Sequence, residues 1–278
     1  MSISKKQSRF LMCPPHHFDV EYVINPWMQG QINAADQQLA GQQWTRFHSL
    51  LSECADVSLM TAVSGLPDLV FTANAALVHN QTAVLSSFRC PERQPEAQHY
   101  ADWLEADGFT VKTLPAGTLF EGAGDALFDR GDKALLWLGY GFRSNAAVVP
   151  HLEDSIAVEI QQLRLCDPRF YHLDTCFCPL EEGFLLYYPA AFDAESNAAI
   201  EAHVSPNRIF AVTEDDAIHF ACNAVNIAKK VILNHASSEL EQWLLARGFE
   251  VIQTGMSEFM KAGGSTKCLS LRLDECRI

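Results

Sequence analysis

The sequence predicts an α/β protein built as one domain, residues 1–278, from repeated supersecondary units. Short apolar segments typical of strands alternate with longer amphipathic segments typical of helices along the chain. Two helix-to-strand junctions are near-copies, EADGFTVKTL at 105–114 and LARGFEVIQT at 245–254. No segment rich in Pro, Gly and Ser resembles a linker. The alternative is an ordinary mixed α/β domain in which the similarity of the junctions is accidental.

The individual elements follow from the same patterns. The segments that predict strands are, in order, SRFLMCP, AALVHN, TAVLSSF, FTVKTLP, KALLWLGYG, GFLLYYP, KVILNH and EVIQTG. The segments that predict helices are AADQQLAGQQWTRFHSLLSECA, PEAQHYADWLEADG, HLEDSIAVEIQQL, DAESNAAIEAHV and SSELEQWLLARG. The last helix opens with paired serines before an acidic residue and ends at Gly248, which is a typical start and stop.

Composition narrows the class of protein. The chain is 48% hydrophobic over 278 residues, which is enough for a substantial core. Its formal net charge is −14 and it has no basic run, so a nucleic-acid partner is not expected. No long apolar stretch predicts a membrane span, and the N-terminus has no apolar signal region. The nine irregularly spaced cysteines indicate reduced thiols, and we expect a cytoplasmic protein.

Four stretches place polar residues where a core would exclude them. They are LPDLVFTANAALV with Asp68 and Asn74, FEGAGDALF with Glu121 and Asp125, FYHLDTCF with His172 and Asp174, and GGSTKC with Cys268. FYHLDTCF reads as a strand with both polar residues on one face. Each stretch alone is consistent with a turn or a satisfied buried group. Together they supply a thiol, an imidazole and carboxylates, which is the inventory of thiol-dependent hydrolysis.

The residues also resemble a known family. CPPHHFDVEYVINPWM, LPDLVFTANAALV, FEGAGDALF, GYGFRSN, FYHLDTCFCPL and GGSTKCLSLRL are similar to motifs of the guanidino-group-modifying enzymes of the amidinotransferase, or pentein, superfamily. The resemblance runs from about residue 9 to the end and is strongest to the catalytic N-terminal domain of cyanobacterial-type arginine dihydrolases. It implies a five-bladed α/β propeller with pseudo-fivefold symmetry, in which the near-copies would be blades.

The resemblance implies roles for the reactive residues. Cys268 is the implied nucleophile, His172 the general acid and base, and Glu121 the group that orients the imidazole. The chemistry is consistent with this, since a thiol is mostly protonated at neutral pH and a cationic neighbour lowers its pKa. A bound guanidinium is itself such a cation. No cofactor is expected, and no metal either, because His16 and His17 lack further ligands at metal-binding spacing.

The resemblance also implies a substrate site. Its residues are Asn74 and Asp174 at the guanidinium, Arg93 and Arg143 at the substrate carboxylate, and Asp68, Phe71, Asn25 and Asp125 around them. The assignment of Arg93 depends on spacing alone. Relatives that only deiminate arginine or hydrolyse methylarginines usually have Asp where this chain has Asn74. This departure favours a dihydrolase.

We therefore expect a hydrolase of free arginine that forms ornithine, ammonia and carbon dioxide through a covalent thiouronium intermediate. The alternatives are a dimethylarginine dimethylaminohydrolase or an arginine deiminase that releases citrulline, a citrulline-hydrolysing enzyme, and an amidinotransferase. A protein that keeps the site only for ligand binding is a further alternative, which the intact set of Cys, His and Glu disfavours. The only partner expected is a small-molecule substrate, and homo-oligomerisation is left open.

Overall fold

The computed structural model describes residues 8–276. These residues form fifteen strands, which are arranged in five three-stranded sheets. In every sheet the central strand pairs antiparallel with one neighbour and parallel with the other. The repetition predicted from the junctions is therefore a repetition of whole sheets, and the mixed α/β class is confirmed.

The elements have the following bounds. The strands are β1 (Ser8–Met12), β2 (Ala55–Leu59), β3 (Ala76–His79), β4 (Thr82–Leu85), β5 (Thr110–Lys112), β6 (Ala126–Phe128), β7 (Leu135–Tyr140), β8 (Glu159–Arg164), β9 (Phe177–Leu180), β10 (Phe184–Tyr187), β11 (Ile209–Ala211), β12 (Val225–Ile227), β13 (Lys230–Leu233), β14 (Glu250–Gln253) and β15 (Leu271–Arg272). The α-helices are α1 (Gln37–Ser52), α2 (Glu96–Ala106), α3 (Val149–Ile156), α4 (Ala194–His203), α5 (Glu214–Ile218), α6 (Ser238–Leu245) and α7 (Ser257–Met260). Short 3₁₀ helices are Pro26–Met28, Pro67–Val70, Thr72–Asn74, Gly122–Gly124, Ala146–Val148, Leu173–Thr175, Glu181–Gly183, Pro189–Ala191 and Pro206–Arg208. Within residues 8–276, none of the helices combines the length and apolarity that crossing a bilayer requires.

Four consecutive stretches of chain each build one sheet in the same way. β3 and β4 form an antiparallel hairpin, and α2 then carries the chain back so that β5 pairs parallel with β4. The same order of hairpin, helix and parallel strand recurs in the units that begin with β6, β9 and β12. A helix suits this connection because the chain must return to the same end of the sheet before a parallel strand can start.

The fifth sheet is assembled from both ends of the chain. β1 is its central strand, α1 connects it to the parallel strand β2, and β15 pairs with it antiparallel. Leu11 lies opposite Leu271 in this pairing. The turn that contains Cys268 therefore precedes β15 as other turns precede the first strand of their own units. Pairing of β15 with β1 therefore places Cys268, which lies near the end of the chain, among residues from earlier units.

The first strands of the five units border one shared cavity. Its lining includes Leu77 of β3, Leu127 of β6, Phe177 of β9, Val225 of β12 and Arg272 of β15. All five units thus present the corresponding strand to a common space. The turns that lead into these strands are consequently neighbours as well, although they are far apart in sequence.

The long helix α1 illustrates how local sequence forms the outer elements. The side chain of Asp36 caps its start by accepting a hydrogen bond from the backbone N–H of Leu39. Trp44, Phe47 and Leu51 are buried at helical spacing, so one face of the helix packs on the core. The predicted helix in this segment is confirmed.

One predicted helix is partly wrong. The sequence predicts a helix over 151–163, but α3 ends at Ile156 and Ala157 adopts a left-handed conformation with φ 49°. The chain then enters β8, which pairs in parallel with β7 from Leu135↔Glu159 to Tyr140↔Arg164. The helix-forming character of Glu, Gln and Leu is overridden here because pairing with the buried strand β7 satisfies the backbone.

The FYHLDTCF segment was also predicted as a strand, and this is wrong for its polar part. His172 is the residue before the 3₁₀ helix Leu173–Thr175, and β9 begins only at Phe177. Alternation of side chains along a strand does not apply to this turn. His172 and Asp174 consequently contact different groups, as described below.

Candidate active site

A pocket lies where the turns before the first strands meet. Most predicted site residues line it, namely Asn25, Asp68, Phe71, Asn74, Arg93, Arg143, His172 and Cys268. The remaining lining residues are Ile24, Met28, Tyr171, Ala262, Gly263 and Gly264. Residues from segments as distant as 24–28 and 262–268 therefore share one pocket, which turns and loops of several units line.

The internal repeat explains how several of these side chains are positioned. Phe71, Glu121, His172 and Phe220 each begin a turn in which their backbone carbonyl accepts a hydrogen bond from the N–H three residues later. Each turn leads directly into the first strand of its unit. The repeated backbone thus carries different side chains at one equivalent position, and two of them are the carboxylate and the imidazole predicted to work together.

Glu121, His172 and Arg143 form a buried group that we call the acid–base cluster. Glu121 Oε2 lies 2.7 Å from His172 Nε2 and accepts a hydrogen bond of 3.1 Å from Arg143 Nη1. Burial alone would raise the pKa of Glu121, but Arg143 and His172 hold it well below its usual range. An ionised carboxylate only accepts hydrogen bonds, so Nε2 carries the proton, and the contact with Glu121 leaves Nδ1 as the basic nitrogen of the ring.

Cys268, Asp174 and Asn223 form a second group that we call the thiol cluster. Cys268 is 3% exposed, and its Sγ lies 3.5 Å from Asp174 Oδ2 and 3.1 Å from Asn223 Nδ2. Burial, followed by the charge of Asp174, raises the pKa of Cys268 well above its usual value. Burial also raises the pKa of Asp174 to about 7, against an opposing effect of Lys267. In this arrangement the thiol is protonated and donates toward the Asp174 carboxylate.

Arg93 is bound by a residue that the sequence analysis missed. Glu96 accepts hydrogen bonds of 2.9 Å from Arg93 Nε and 2.7 Å from Nη2, and both side chains are buried. Arg93 Nη1 donates at 2.8 Å to Asn74 Oδ1, and Nη2 also reaches the backbone oxygen of Asp68. Burial raises the pKa of Glu96 to about 7 even though Arg93 opposes the shift. Most of the donors of Arg93 are thus engaged within the protein.

The amide of Asn74 is oriented by two partners. Its Oδ1 accepts from Arg93, and its Nδ2 donates at 3.2 Å to the backbone oxygen of Glu121. A Cβ on Gly124 would lie 2.2 Å from this Nδ2, so only glycine permits the approach. One lone pair and one N–H of the amide are uncommitted in these contacts. Asn74 can therefore both accept from and donate to a molecule in the pocket.

Asp125 and Asn25, which were predicted to bind substrate, both form hydrogen bonds that connect segments of the protein. Asp125 does not line the pocket: its carboxylate accepts from Ser144 Oγ at 2.6 Å and from the backbone N–H of Leu173 at 3.1 Å. It links the turn of Glu121 to the turn of His172, and we withdraw it as a residue that contacts substrate. Asn25 lines the pocket and caps the 3₁₀ helix Pro26–Met28, while its Nδ2 donates to the backbone oxygen of Ala262.

The two glycines before Cys268 leave no room for a side chain at either position. A Cβ on Gly264 would lie 2.5 Å from the ring of Phe71, and a Cβ on Gly263 would lie 2.7 Å from the hydroxyl of Tyr171. The segment GGSTKC thus contains two glycines because its backbone lies close to the aromatic wall of the pocket. Tyr171, which also stacks under Arg143 at 4.7 Å, was not predicted.

Asn223, like Glu96 and Tyr171, was not predicted from the sequence. FACNAVNI at 220–227 matches FTANAALV at 71–78 in its Phe, its Asn and the following Ala, so the internal repeat contains the signal. The repeat is evident at the helix-to-strand junctions, and these turns extend it. Asn223 occupies the position in its unit that Asn74 occupies in another.

One group of possible metal ligands occurs among residues 8–276. Asp215, His219 and His235 each have a ligand atom within 4.8 Å of the others. None of the three lines the pocket. The chemistry of the pocket is thus built from a thiol, an imidazole, carboxylates, amides and guanidinium groups.

Comparison with known proteins gives concordant results. The chain matches the family described as N,N dimethylarginine dimethylhydrolase, eukaryotic, over residues 19–273. It is 53% identical over 267 residues to the bifunctional arginine dihydrolase/ornithine cyclodeaminase AgrE of Nostoc sp., covering 96% of this chain and 38% of that protein. It is 37% identical over 267 residues to the N(G),N(G)-dimethylarginine dimethylaminohydrolase of Mycobacterium tuberculosis, covering 95% and 85%.

A solved structure with the same fold extends the comparison. It is the N-terminal domain of ArgZ, an arginine dihydrolase from the ornithine-ammonia cycle in cyanobacteria, in a cysteine-to-serine mutant bound to substrate. It is 51% identical to this chain with a TM-score of 0.96, and the match covers 98% of this chain and all of that one. The chain spans 38% of the length of AgrE.

Proposed function

The chain belongs to the N,N-dimethylarginine dimethylhydrolase family, and within this family we propose that it is an arginine dihydrolase. It converts arginine and two waters into ornithine, two ammonia and carbon dioxide. The observation that carries the proposal is one pocket in which Cys268, His172 and Asn74 meet, with Asn74 in place of a carboxylate. The identity to AgrE and to the substrate-bound domain of ArgZ supports the same activity.

The pocket has a complementary partner for each part of arginine. The carboxylate of Asp174, beside the thiol, and Oδ1 of Asn74 accept from the guanidinium, which favours planar arrays of acceptors. Arg143 and Arg93 attract the substrate carboxylate from the pocket wall. Asp68 Oδ1 is buried and has no hydrogen-bond partner among the described residues, so it suits the α-ammonium. We propose these contacts as the basis of specificity for a free amino acid.

The first half of the reaction begins when the substrate cation enters. The guanidinium takes the Asp174 carboxylate as its partner, and its charge favours ionisation of Cys268. His172 Nδ1 accepts the proton of Cys268, and the resulting thiolate attacks the guanidinium carbon. The imidazolium then returns this proton to the departing ammonia as the carbon–nitrogen bond breaks. The carbon remains attached to sulfur as a thiouronium. Glu121 stabilises the imidazolium throughout, because it is ionised and bound to Nε2.

The second half regenerates the thiol. His172 removes a proton from water, and the hydroxide attacks the thiouronium carbon. The carbon–sulfur bond breaks and a neutral ureido group stays in the pocket without a covalent bond, while one of the two water protons returns to Cys268 and the other passes to the released ammonia. A repeat of attack and hydrolysis on this group releases the second ammonia and a carbamate of ornithine, which loses carbon dioxide. The ureido group is neutral and has both a donor side and an acceptor oxygen. The amide of Asn74 can accept from the first and donate to the second, whereas a carboxylate only accepts.

A second candidate function is release of citrulline from arginine or dimethylarginine. The 37% identity to a dimethylarginine dimethylaminohydrolase favours it, since that protein shares most of its length with this chain. The same Cys268, His172 and Glu121 would serve. Citrulline hydrolysis and amidino transfer use these residues as well and stay as alternatives.

We also propose three features of the whole protein. The five sheets are blades of an α/β propeller with pseudo-fivefold symmetry, a proposal supported by their common strand order and by the cavity that all five border. The chain is a single domain, residues 1–278, because closure of β15 on β1 ties both ends into one sheet. The protein acts in the cytoplasm, a proposal supported by its nine cysteines, all of which are free thiols.

Product analysis tests the proposed function. Purified protein is incubated separately with arginine, citrulline and dimethylarginine, and products are measured by mass spectrometry together with ammonia. The expected result is ornithine from arginine with two ammonia per arginine consumed. Citrulline as the sole product would overturn the dihydrolase proposal in favour of the second candidate.

The variant Asn74→Asp tests the reason given for the second hydrolysis. It should still consume arginine but release citrulline with little ornithine, because the aspartate cannot donate to the ureido oxygen. Equal ornithine formation by the variant and the wild type would leave the overall function intact and refute this role of Asn74.

A further inference from the structure

Asn223 makes a complete set of hydrogen bonds around Cys268. Its side chain is fully buried in the turn before β12. Nδ2 lies 3.1 Å from Cys268 Sγ and donates at 2.9 Å to the backbone oxygen of Asp174. Oδ1 accepts from the backbone N–H groups of Ser265 at 3.1 Å and Cys268 at 3.2 Å. All four hydrogen-bonding positions of the amide are thus used.

These contacts determine which end of the amide faces the sulfur. A flipped amide would point its NH₂ group at the two backbone N–H groups and its oxygen at the Asp174 carbonyl. Both exchanges would bring like groups together, so only the observed orientation satisfies every partner. Nδ2 is therefore held as a donor toward Sγ whether or not a substrate is bound.

The backbone of Asn223 holds the same turn from the other side. Its carbonyl accepts from Thr266 Oγ1 at 2.7 Å and from the N–H of Lys267 at 3.3 Å. The residue consequently binds four consecutive positions, 265–268. These hydrogen bonds hold the turn before β15 against the unit of β12, and they thereby fix the distance from Asn223 Nδ2 to Cys268 Sγ.

We propose that Asn223 is a catalytic residue whose amide N–H stabilises the thiolate of Cys268. The inference rests on the proposed function in taking Cys268 as the nucleophile. The thiol of Cys268 loses its acceptor at Asp174 when a guanidinium binds there. The thiolate that then forms requires a hydrogen-bond donor. Among the described residues, Asn223 supplies the side-chain donor that lies within hydrogen-bonding distance of Sγ.

A neutral donor suits this site better than a cation. A lysine or arginine beside Sγ would also stabilise a thiolate, but it would repel the guanidinium that must approach the same atom. The charged groups that act on Cys268 are Asp174, which opposes ionisation, and Lys267, which favours it. Lys267 borders the other cavity, and its Nζ is directed to the backbone oxygen of Ala123. His172 shares the pocket but is bound to Glu121.

The test measures thiolate formation without any substrate. The rate at which iodoacetamide alkylates Cys268 is followed against pH by peptide mass spectrometry in wild type, Asn223→Ala and Asn223→Ser. Loss of a hydrogen bond to a charged sulfur should raise the midpoint of the profile by about one to two pH units. Asn223→Asp adds a charge that by itself raises the midpoint, so Asn223→Ser, which is neutral and keeps an acceptor for a backbone N–H group, decides the question if Asn223→Ala does not fold.

Asn226→Ala is the matched control. Asn226 is a buried amide in β12 that bonds only to backbone groups, including the oxygens of Ala228 and Lys230. Its replacement should leave the midpoint unchanged. The proposal is overturned if the midpoint of the folded Asn223 variants equals that of wild type, or if Asn226→Ala shifts it as far. Because alkylation needs no substrate, the result stands whichever product the enzyme releases.

Discussion

The acid–base cluster and the thiol cluster each contain one carboxylate that is completely buried, yet the two carboxylates behave in opposite ways. The pKa of Glu121 lies well below its usual range, whereas that of Asp174 is raised to about 7. Burial opposes ionisation of both groups. The difference must therefore come from their partners.

Fixed cations account for the contrast. Glu121 contacts Arg143 at 3.1 Å and the imidazole of His172 at 2.7 Å. Asp174 forms no salt bridge to any residue within 8–276, and its nearest side-chain partner in the thiol cluster is Cys268. The acid–base cluster is thus complete within the protein, while under the proposed function the positive charge of the substrate would complete the thiol cluster. The predictions that follow test this contrast.

The largest effect is expected at the thiol itself. Cys268→Ser should abolish turnover without loss of the fold, because a serine hydroxyl is a far weaker nucleophile than a thiolate. Turnover is measured as ammonia release, and folding by circular dichroism. Cys222→Ser, which replaces another buried thiol, should keep wild-type turnover. Activity of Cys268→Ser near that of wild type would refute the mechanism.

Glu121→Gln should weaken both catalysis and stability. The amide cannot hold the imidazolium, so kcat should fall about a hundredfold or more. Arg143 loses the charge that compensates it in a buried site, which should lower the free energy of unfolding by about 3–5 kcal/mol. Steady-state kinetics and urea unfolding measure the two effects.

Glu258→Gln is the control for Glu121→Gln, since Glu258 is a buried carboxylate paired with Lys261 away from the pocket. It should destabilise the protein and leave kcat unchanged. A Glu121→Gln variant as stable as wild type would show that the acid–base cluster does not stabilise the fold.

Asp174→Asn should separate activity from stability. The catalytic efficiency should fall about tenfold to a hundredfold, because a charge-assisted hydrogen bond to the guanidinium is lost. The variant should nevertheless unfold at higher urea concentration than wild type at pH 8. When the pKa of a carboxyl group is higher in the folded than in the unfolded state, the folded protein loses stability as the pH rises between the two pKa values. For Asp174 this range is from about 4 to about 7.

Asp216→Asn, at a buried aspartate bound by Ser237, controls for the general effect of such a replacement. It should leave the catalytic efficiency unchanged and should not raise stability. Asp174→Asn variants with wild-type kinetics would put Asp174 outside substrate binding, and a loss of stability at pH 8 would contradict the raised pKa.

The smallest effect concerns the pH dependence of wild type. Protonated Asp174 offers no charge to the guanidinium, so kcat/KM should decline below pH 7 by up to about tenfold per pH unit. Glu121 stays ionised over this range and contributes nothing to the decline. In Asp174→Asn the limb near pH 7 should disappear. A wild-type kcat/KM that is constant between pH 5.5 and 8 would contradict the prediction.

The alternation of apolar segments was sufficient to predict the class of fold, and it located α1, α2, α4 and α6 together with all five central strands. These elements are amphipathic or wholly buried, so their own residues carry the signal. The strands β6, β11 and β12 escaped prediction because three residues cannot show a period, whereas the equally short β5 was located from the longer segment FTVKTLP around it. The strand β8 was missed because its pairing with β7, and not its own propensity, makes it a strand.

The sequence by itself also determined which groups are proposed to react, since only the motifs and their resemblance were needed to name Cys268, His172 and Glu121. Only the tertiary structure decided which groups surround these side chains, and hence their pKa values and their orientation. The closure of β15 on β1 puts Cys268 beside Asp174 and Asn223, and Glu96 turns Arg93 toward Asn74. Charge interactions and hydrogen bonds depend on distances of a few ångström between residues that are far apart in the chain, and only folding sets those distances.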